Sequence, residues 1–202
     1  MMIKHFANDK RTRCPWCEKN PLDQHYHDTE WGVPMHDDRD LLELITLEGA
    51  QAGLSWSTVL AKRNGYKRIF KNFDAKKIVA FTPADIEAAL ADPGIVRNKL
   101  KVHSTVSNAR AFLAAQEKYD SFDAFLWRIV GDAPRINQWE AFTQVPVKTS
   151  ESDAMSKLLL AHGFKFVGST ICYAFMQASG MVNDHITSCF RYREVFVKSA
   201  EK

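Results

Sequence analysis

The chain has 202 residues, 27 basic against 24 acidic for a net charge of +3, and is 46% apolar and 25% charged. That balance is ordinary for a folded globular protein and excludes a disordered, collagen-like or low-complexity chain. No run of eighteen apolar residues is present to span a membrane, and the N-terminus is basic without the apolar core of a secretory signal.

The first 35 residues read as irregular, yet they are rich in aromatic, Cys and His residues, unlike a loose terminus. Residues 38–47 and 54–63 are amphipathic and predict helices. Thr82-Pro83-Ala84-Asp85 supplies a capping residue, a Pro at the first helical position and a carboxylate at the third. A helix over 84–91 follows, with Ile86, Ala89 and Leu90 on one face, broken by Asp92-Pro93-Gly94. A longer helix is predicted over 97–117, with Leu100, Val102, Val106, Ala109 and Leu113 spaced for burial. Residues 121–130 predict a short helix, and 131–150 a connecting loop. Helices over 152–161 and 169–179 end at His162-Gly163 and Gly180. Only 145–147 and 164–167 alternate as strands would, so the fold class is all-α, in one domain or two intimate lobes.

The expected compartment is a reducing cytoplasm, which makes the four cysteines candidates for metal or redox chemistry. His185 and Cys189 are four apart, which on a helix puts an imidazole and a thiolate on one face. Cys14 and Cys17 precede His25 and His27. Two Cys and two His in two distant pairs have the composition of a closed tetrahedral zinc site tying the two ends of the chain together. A redox dithiol at Cys14-Pro15-Trp16-Cys17 is the alternative, though no strand leads into it. Cys172 reads as a buried core thiol.

Trp16, Tyr26, Trp31 and Trp56 cluster in the first 56 residues, and Glu48 sits in the nearly uncharged stretch 47–56. Aromatic faces with one carboxylate suit a flat cationic heterocycle, by stacking, cation–π attraction and a charge-assisted hydrogen bond. The plainer alternative is aromatic core filler, with Glu48 capping the following helix. Residues 92–101 form a glycine hairpin between two predicted helices, whose backbone N–H groups, with Arg97, Lys99 and Lys101, suit a phosphate. A plain helix–helix turn with a solvated basic face is the commoner object.

Taken together, these stretches resemble the bacterial 3-methyladenine DNA glycosylase I family. The resemblance rests on Arg13-Cys14-Pro15-Trp16, on residues 26–34 and 47–56, on Gly94-Ile95-Val96-Arg97, and on residues 163–178 and 182–185. It runs over 13–189 as a single glycosylase unit of two lobes, with the hairpin in a middle part of about 65–130 and divergent tails at 1–12 and 190–202. It implies an all-α helix–hairpin–helix glycosylase fold with a structural Zn²⁺ clasp on Cys14, His27, His185 and Cys189, leaving Cys17 outside. It places the base pocket on Trp16, Tyr26, Trp31, Glu48 and Trp56, and a DNA-wedging loop on Gly53 and Leu54. DNA contact falls also on Gly94, Ile95 and Arg97. Two positions depart from the pattern. Asp23 stands where the family often has tyrosine in the pocket, and Val96 replaces the second glycine of the hairpin.

The resemblance implies excision of 3-methyladenine from alkylated double-stranded DNA, with the free base as product. Glu48 and Tyr26 are the expected catalytic pair and Asp23 a base-binding neighbour. A monomer with no membrane association is expected. A lesion sensor whose pocket no longer cuts is the rival reading, and Asp23 is the residue that keeps it open.

Overall fold

The computed structural model describes residues 10–200, with side chains to residue 195. The helices are α1 (Pro21–Thr29), α2 (Asp38–Gln51), α3 (Trp56–Leu60), α4 (Arg63–Ile69), α5 (Ala75–Val79) and α6 (Pro83–Ala91), followed by α7 (Lys99–Tyr119), α8 (Phe122–Trp127), α9 (Ser150–Ala161), α10 (Ser169–Ala178) and α11 (Arg191–Ala200). Among the described residues the fold is all-α apart from one two-residue parallel pair. In it β1 (Arg135–Ile136) lies beside β2 (Val182–Asn183), with Arg135 opposite Val182.

The organising element is α2, whose residues from Leu41 to Ala50 are all buried. A helix apolar on nearly every side must be enclosed. Here α3, α7, α8 and α10 pack around it. Its start is tied to α8 because Asp38 accepts hydrogen bonds from the N–H groups of Phe122 (2.9 Å) and Asp123 (2.8 Å). The buried Glu43 is neutralised by Arg63 (2.5 Å) and Lys67 (3.2 Å).

Several expectations need correction. Within the first 35 residues, the described part from residue 10 is not wholly irregular: a 3-10 turn spans Pro15–Cys17, and the Asn20 side chain caps α1 with Pro21 at its first position. The helix begun at Asp38 continues to Gln51, so Glu48 lies inside its last turn instead of following it. The segment 54–63 is broken into α3 and the start of α4, and α5, capped by Asp74, had no sequence expectation. In α7 the register moves two residues, because the Asn98 side chain caps it at Lys101 N. Val102, Val106 and Ala109 are buried as expected, but Leu100 is 69% exposed. Neither strand candidate forms: Phe166 takes φ +55°, which breaks an extended run, and Val145 follows the 3-10 turn Phe142–Gln144.

The loop after α8 is held by the β1–β2 pair and by one buried carboxylate. Buried Asp184 accepts hydrogen bonds from Asn137 Nδ2 (2.7 Å), Trp139 Nε1 (2.7 Å), Tyr173 OH (2.6 Å) and Gln177 Nε2 (2.8 Å). Four donors offset the cost of burying a carboxylate. They join the loop to α10 immediately before His185.

Candidate active site and metal centre

Cys14, His27, His185 and Cys189 converge from the two ends of the chain, all buried, with their ligand atoms within 4.8 Å of one another. Cys14 Sγ and Cys189 Sγ each lie 3.6 Å from His185 Nδ1, and Cys189 Sγ lies 3.4 Å from His27 Nε2. A tetrahedral zinc with bonds of about 2.3 Å to sulfur and 2.0–2.1 Å to nitrogen separates S from N by about 3.6 Å, so the donor set fits. The outer ring nitrogens are also engaged. His27 Nδ1 is 2.8 Å from Asp28, itself gripped by Arg13 at 2.7 Å, and His185 Nε2 is 3.1 Å from the Trp31 carbonyl oxygen. Such partners fix the tautomer and aim the inner lone pair at the centre. Burial pushes the His185 pKa down, which keeps the ring neutral. Gly32, at φ +79°, makes room for it, since a Cβ there would stand 3.0 Å from His185 Nε2.

His185 and Cys189 sit on a turn, closed by Cys189 N–H to Ile186 O at 2.8 Å, and not on the expected helix. Cys17 stays outside the cluster. Its thiol donates to the Cys14 carbonyl oxygen at 3.2 Å, and burial raises its pKa to about 12. All four cysteines are free, His25 is exposed, and Cys172 is the core thiol its setting predicted.

Beside the cluster lies a cleft of about 340 Å³. Trp16, Asp23, Tyr26, Trp31, Glu48 and Trp56 all line it. Helix α1 serves both sites: His27 turns to the cluster while Asp23 and Tyr26 face the cleft. Trp16 meets Trp31 edge-on at 5.2 Å, and Tyr26 meets Trp56 at 5.2 Å and 47°. Glu48 is 4% exposed and has no hydrogen-bond partner among the described residues, and burial raises its pKa to about 8. Burial and then the nearby Glu48 push Tyr26 well above the ordinary tyrosine value, so it stays a neutral phenol. Gln51, Ser55, Ser57, Phe142, Ala174 and Gln177 complete the wall and were not foreseen as part of it. Gln177 is aimed by Asp184, seven residues further on, which accepts from its Nε2 at 2.8 Å.

The turn after α2 carries Gly53 at φ +78°, a conformation glycine tolerates, and Leu54 is 41% exposed at its tip. The hairpin between α6 and α7 is pressed against α4: a Cβ on Gly65 would lie 2.0 Å from Gly94 O. Two of its N–H groups are used internally, Gly94 by Asp92 (2.7 Å) and Val96 by the Tyr66 hydroxyl (3.3 Å). The N–H groups of Ile95 and Arg97 have no partner among the described residues, and the Arg97 side chain is exposed while that of Ile95 is buried. Lys101 is not on the basic face where it was expected. Its Nζ caps the end of α2, donating to Ala50 O and Ala52 O at 2.7 Å each.

A methyladenine glycosylase profile matches residues 16–192. The chain belongs to the methyladenine glycosylase family. It is 47% identical over 180 residues to DNA-3-methyladenine glycosylase 1 of Escherichia coli K12, covering 89% of this chain and 96% of that one. DNA-3-methyladenine glycosylase of Haemophilus influenzae is 46% identical over 178 residues, covering 88% and 96%. A crystal structure of 3-methyladenine DNA glycosylase I superposes with a TM-score of 0.87 at 50% identity, over 89% of this chain and 98% of that one. The Staphylococcus aureus enzyme, solved to show 3-methyladenine recognition, gives 0.86 at 33% identity over 88% and 95%. Membership makes the chain an enzyme of the DNA-3-methyladenine glycosylase class.

Proposed function

We propose that the enzyme hydrolyses the N-glycosidic bond of 3-methyladenine in alkylated double-stranded DNA, with the base turned out of the stack into the aromatic cleft. The observation that carries this reading is the buried, unpartnered Glu48 in a wall of aromatic rings with no Lys, Arg or His among its lining residues. Such a cavity attracts a flat cation. Extruding the base costs a few kcal/mol. Leu54 and Gly53 prop the vacated space, while Ile95 and Arg97 offer N–H groups, and Arg97 a charge, to the backbone of the strand. The Gly94 and Val96 N–H groups are already engaged, so Gly94 serves by letting the hairpin approach Gly65.

N3 methylation makes the base cationic. When the C1′–N9 bond breaks, its electrons leave with the base, which departs neutral. Water then adds to the sugar cation and gives up its proton to solvent. Glu48 accepts hydrogen bonds from the base edge with Tyr26 assisting, Trp16 and Trp56 form the walls, and Trp31 backs them. This chemistry needs charge stabilisation more than a general base. Cys14, His27, His185 and Cys189 would hold a Zn²⁺ that supplies cross-linking alone, anchoring the segment that carries Trp16, Asp23, Tyr26 and Trp31.

The glycosylase unit is read as 13–189, with the hairpin-bearing part at about 65–130, working as a cytoplasmic monomer. Of the tails, residues 1–9 lie outside the described residues, whereas 191–195 continue as helix with Val195 buried. The test is separation of the bases released from methylated DNA. Wild type is expected to release 3-methyladenine. Binding of the free base without release would replace this reading with the sensor.

Lys101 makes a second prediction. It joins the first turn after the hairpin to the helix end that carries Glu48 and the Gly53–Leu54 turn. Lys101→Met, which removes both contacts, is expected to lower kcat/KM on DNA by roughly 10–150-fold, the equivalent of about 1.5–3 kcal/mol. Affinity for free 3-methyladenine should change less than twofold, and Lys101→Arg should recover part of the loss.

A further inference from the structure

The carboxylates buried in this fold are matched by donors wherever their role is structural. Asp184 has four donors, and Glu43 has Arg63 and Lys67. Asp23 differs. It is 6% exposed, and Ser57 Oγ donates to its Oδ2 at 2.5 Å, but its Oδ1 is buried with no partner. Glu48 is likewise without a hydrogen-bond partner among the described residues, and the two line the same cleft.

The indole N–H groups of Trp16 and Trp56, also lining that cleft, are buried without partners as well. Unmatched polar groups at one cavity wall are costly in an empty protein and are satisfied by a ligand. Asp23 also occupies the third position of α1, where the helix N-terminus favours a negative group. Ser57, at the start of α3, pins one oxygen and so fixes the carboxylate's orientation.

Resting on the base-pocket reading above, we propose that Asp23, held by Ser57, is a second negative group that makes the cleft discriminate by charge, admitting purines alkylated to a cation and rejecting the neutral base of the same shape. One carboxylate matches one positive charge at one edge of the base. A second at the wall deepens the negative potential throughout a cavity lined by no cationic side chain, and a neutral base of the same shape gains none of that attraction. Asp23 is thus a specificity residue, separate from the hydrogen bond that Glu48 makes.

The test uses two small probes, 3,9-dimethyladeninium as a fixed cation and 9-methyladenine as its neutral counterpart, titrated against the intact protein by tryptophan fluorescence. Wild type is expected to prefer the cation. Asp23→Asn keeps the shape and an acceptor for Ser57; it should weaken cation binding about tenfold and leave the neutral probe within twofold. Asp23→Glu should recover part of the preference, and Ser57→Ala should lose part of it. An equal loss for both probes in Asp23→Asn would make Asp23 a packing residue and overturn the proposal, as would an unchanged preference. If wild type bound neither probe, the base-pocket reading itself would fall, and this proposal with it.

Discussion

Glu48→Gln is expected to lower kcat/KM for 3-methyladenine release by roughly 10²–10³-fold, the range for losing one aimed electrostatic partner in a water-poor site. The amide has the same volume, so the aromatic walls stay in place and the loss reports charge. The pH dependence is the sharper part of the prediction. Burial raises the Glu48 pKa to about 8, so in the empty cleft at pH 7 the side chain is mostly a neutral acid. A cationic base favours the anion, and one proton leaves as the base enters. Affinity for a fixed cation should therefore climb with pH and level off above about 8, and in E48Q it should be flat. Stability follows with the opposite sign. A carboxyl whose folded pKa exceeds its unfolded value stabilises the fold fully at low pH, and that contribution is lost as pH rises toward 8. The melting advantage of E48Q over wild type should grow between about pH 5 and 8 and then stay constant. A variant that excises as fast as wild type, or keeps the pH dependence of cation binding, would remove Glu48 from its assigned role.

The second large effect concerns the four-residue cluster. Purified protein should contain about one zinc per chain, and Cys14→Ser or His185→Ala should abolish it. Removing one member leaves the others buried without compensation, a loss of about 3–5 kcal/mol by analogy with broken buried ion pairs. For a domain of this size that lowers Tm by roughly 6–20 °C, at 2–4 °C per kcal/mol. Limited proteolysis should then cut the N-terminal segment before α2. Cys17→Ser is the control, since its thiol contacts only a backbone carbonyl and lies outside the cluster. Full zinc content and unchanged melting in both ligand variants would dismiss the metal.

The parts of this molecule legible in the sequence are those set by neighbours along the chain. The Thr82–Asp85 capping box and the glycines ending α9 and α10 work through contacts a few residues away, and they appear where expected. The cluster and the cleft were legible for a different reason: unusual residue types recur in long matching runs, although spacing alone left Cys17 and His25 as equal candidates. What escaped depends on distant contacts. Helix α1 looked irregular because its buried residues are Tyr, His and Asp, which pack against the Cys/His cluster and the cleft and so leave no apolar stripe to read. The place of Glu48 inside α2 was hidden by Gly49, which reads as a stop but lies against Phe166, where a Cβ would come within 3.2 Å. Lys101 looked like one more cation on a basic hairpin, and only the fold shows that its charge is spent on the end of α2.

Cys14 and His185 meet across 171 positions of the chain. During synthesis at about 5–20 residues per second, the segment bearing Trp16, Tyr26 and Trp31 leaves the ribosome some 10–30 s before its anchor does. Every newly made molecule therefore passes through a stage in which two thiols and the cleft's aromatic walls are outside the ribosome with nothing to close on. On the zinc-clasp reading, the N-terminal segment gains its anchor only once the turn carrying His185 and Cys189 is released, so a copy truncated before that turn is expected to leave the cleft's aromatic wall unanchored.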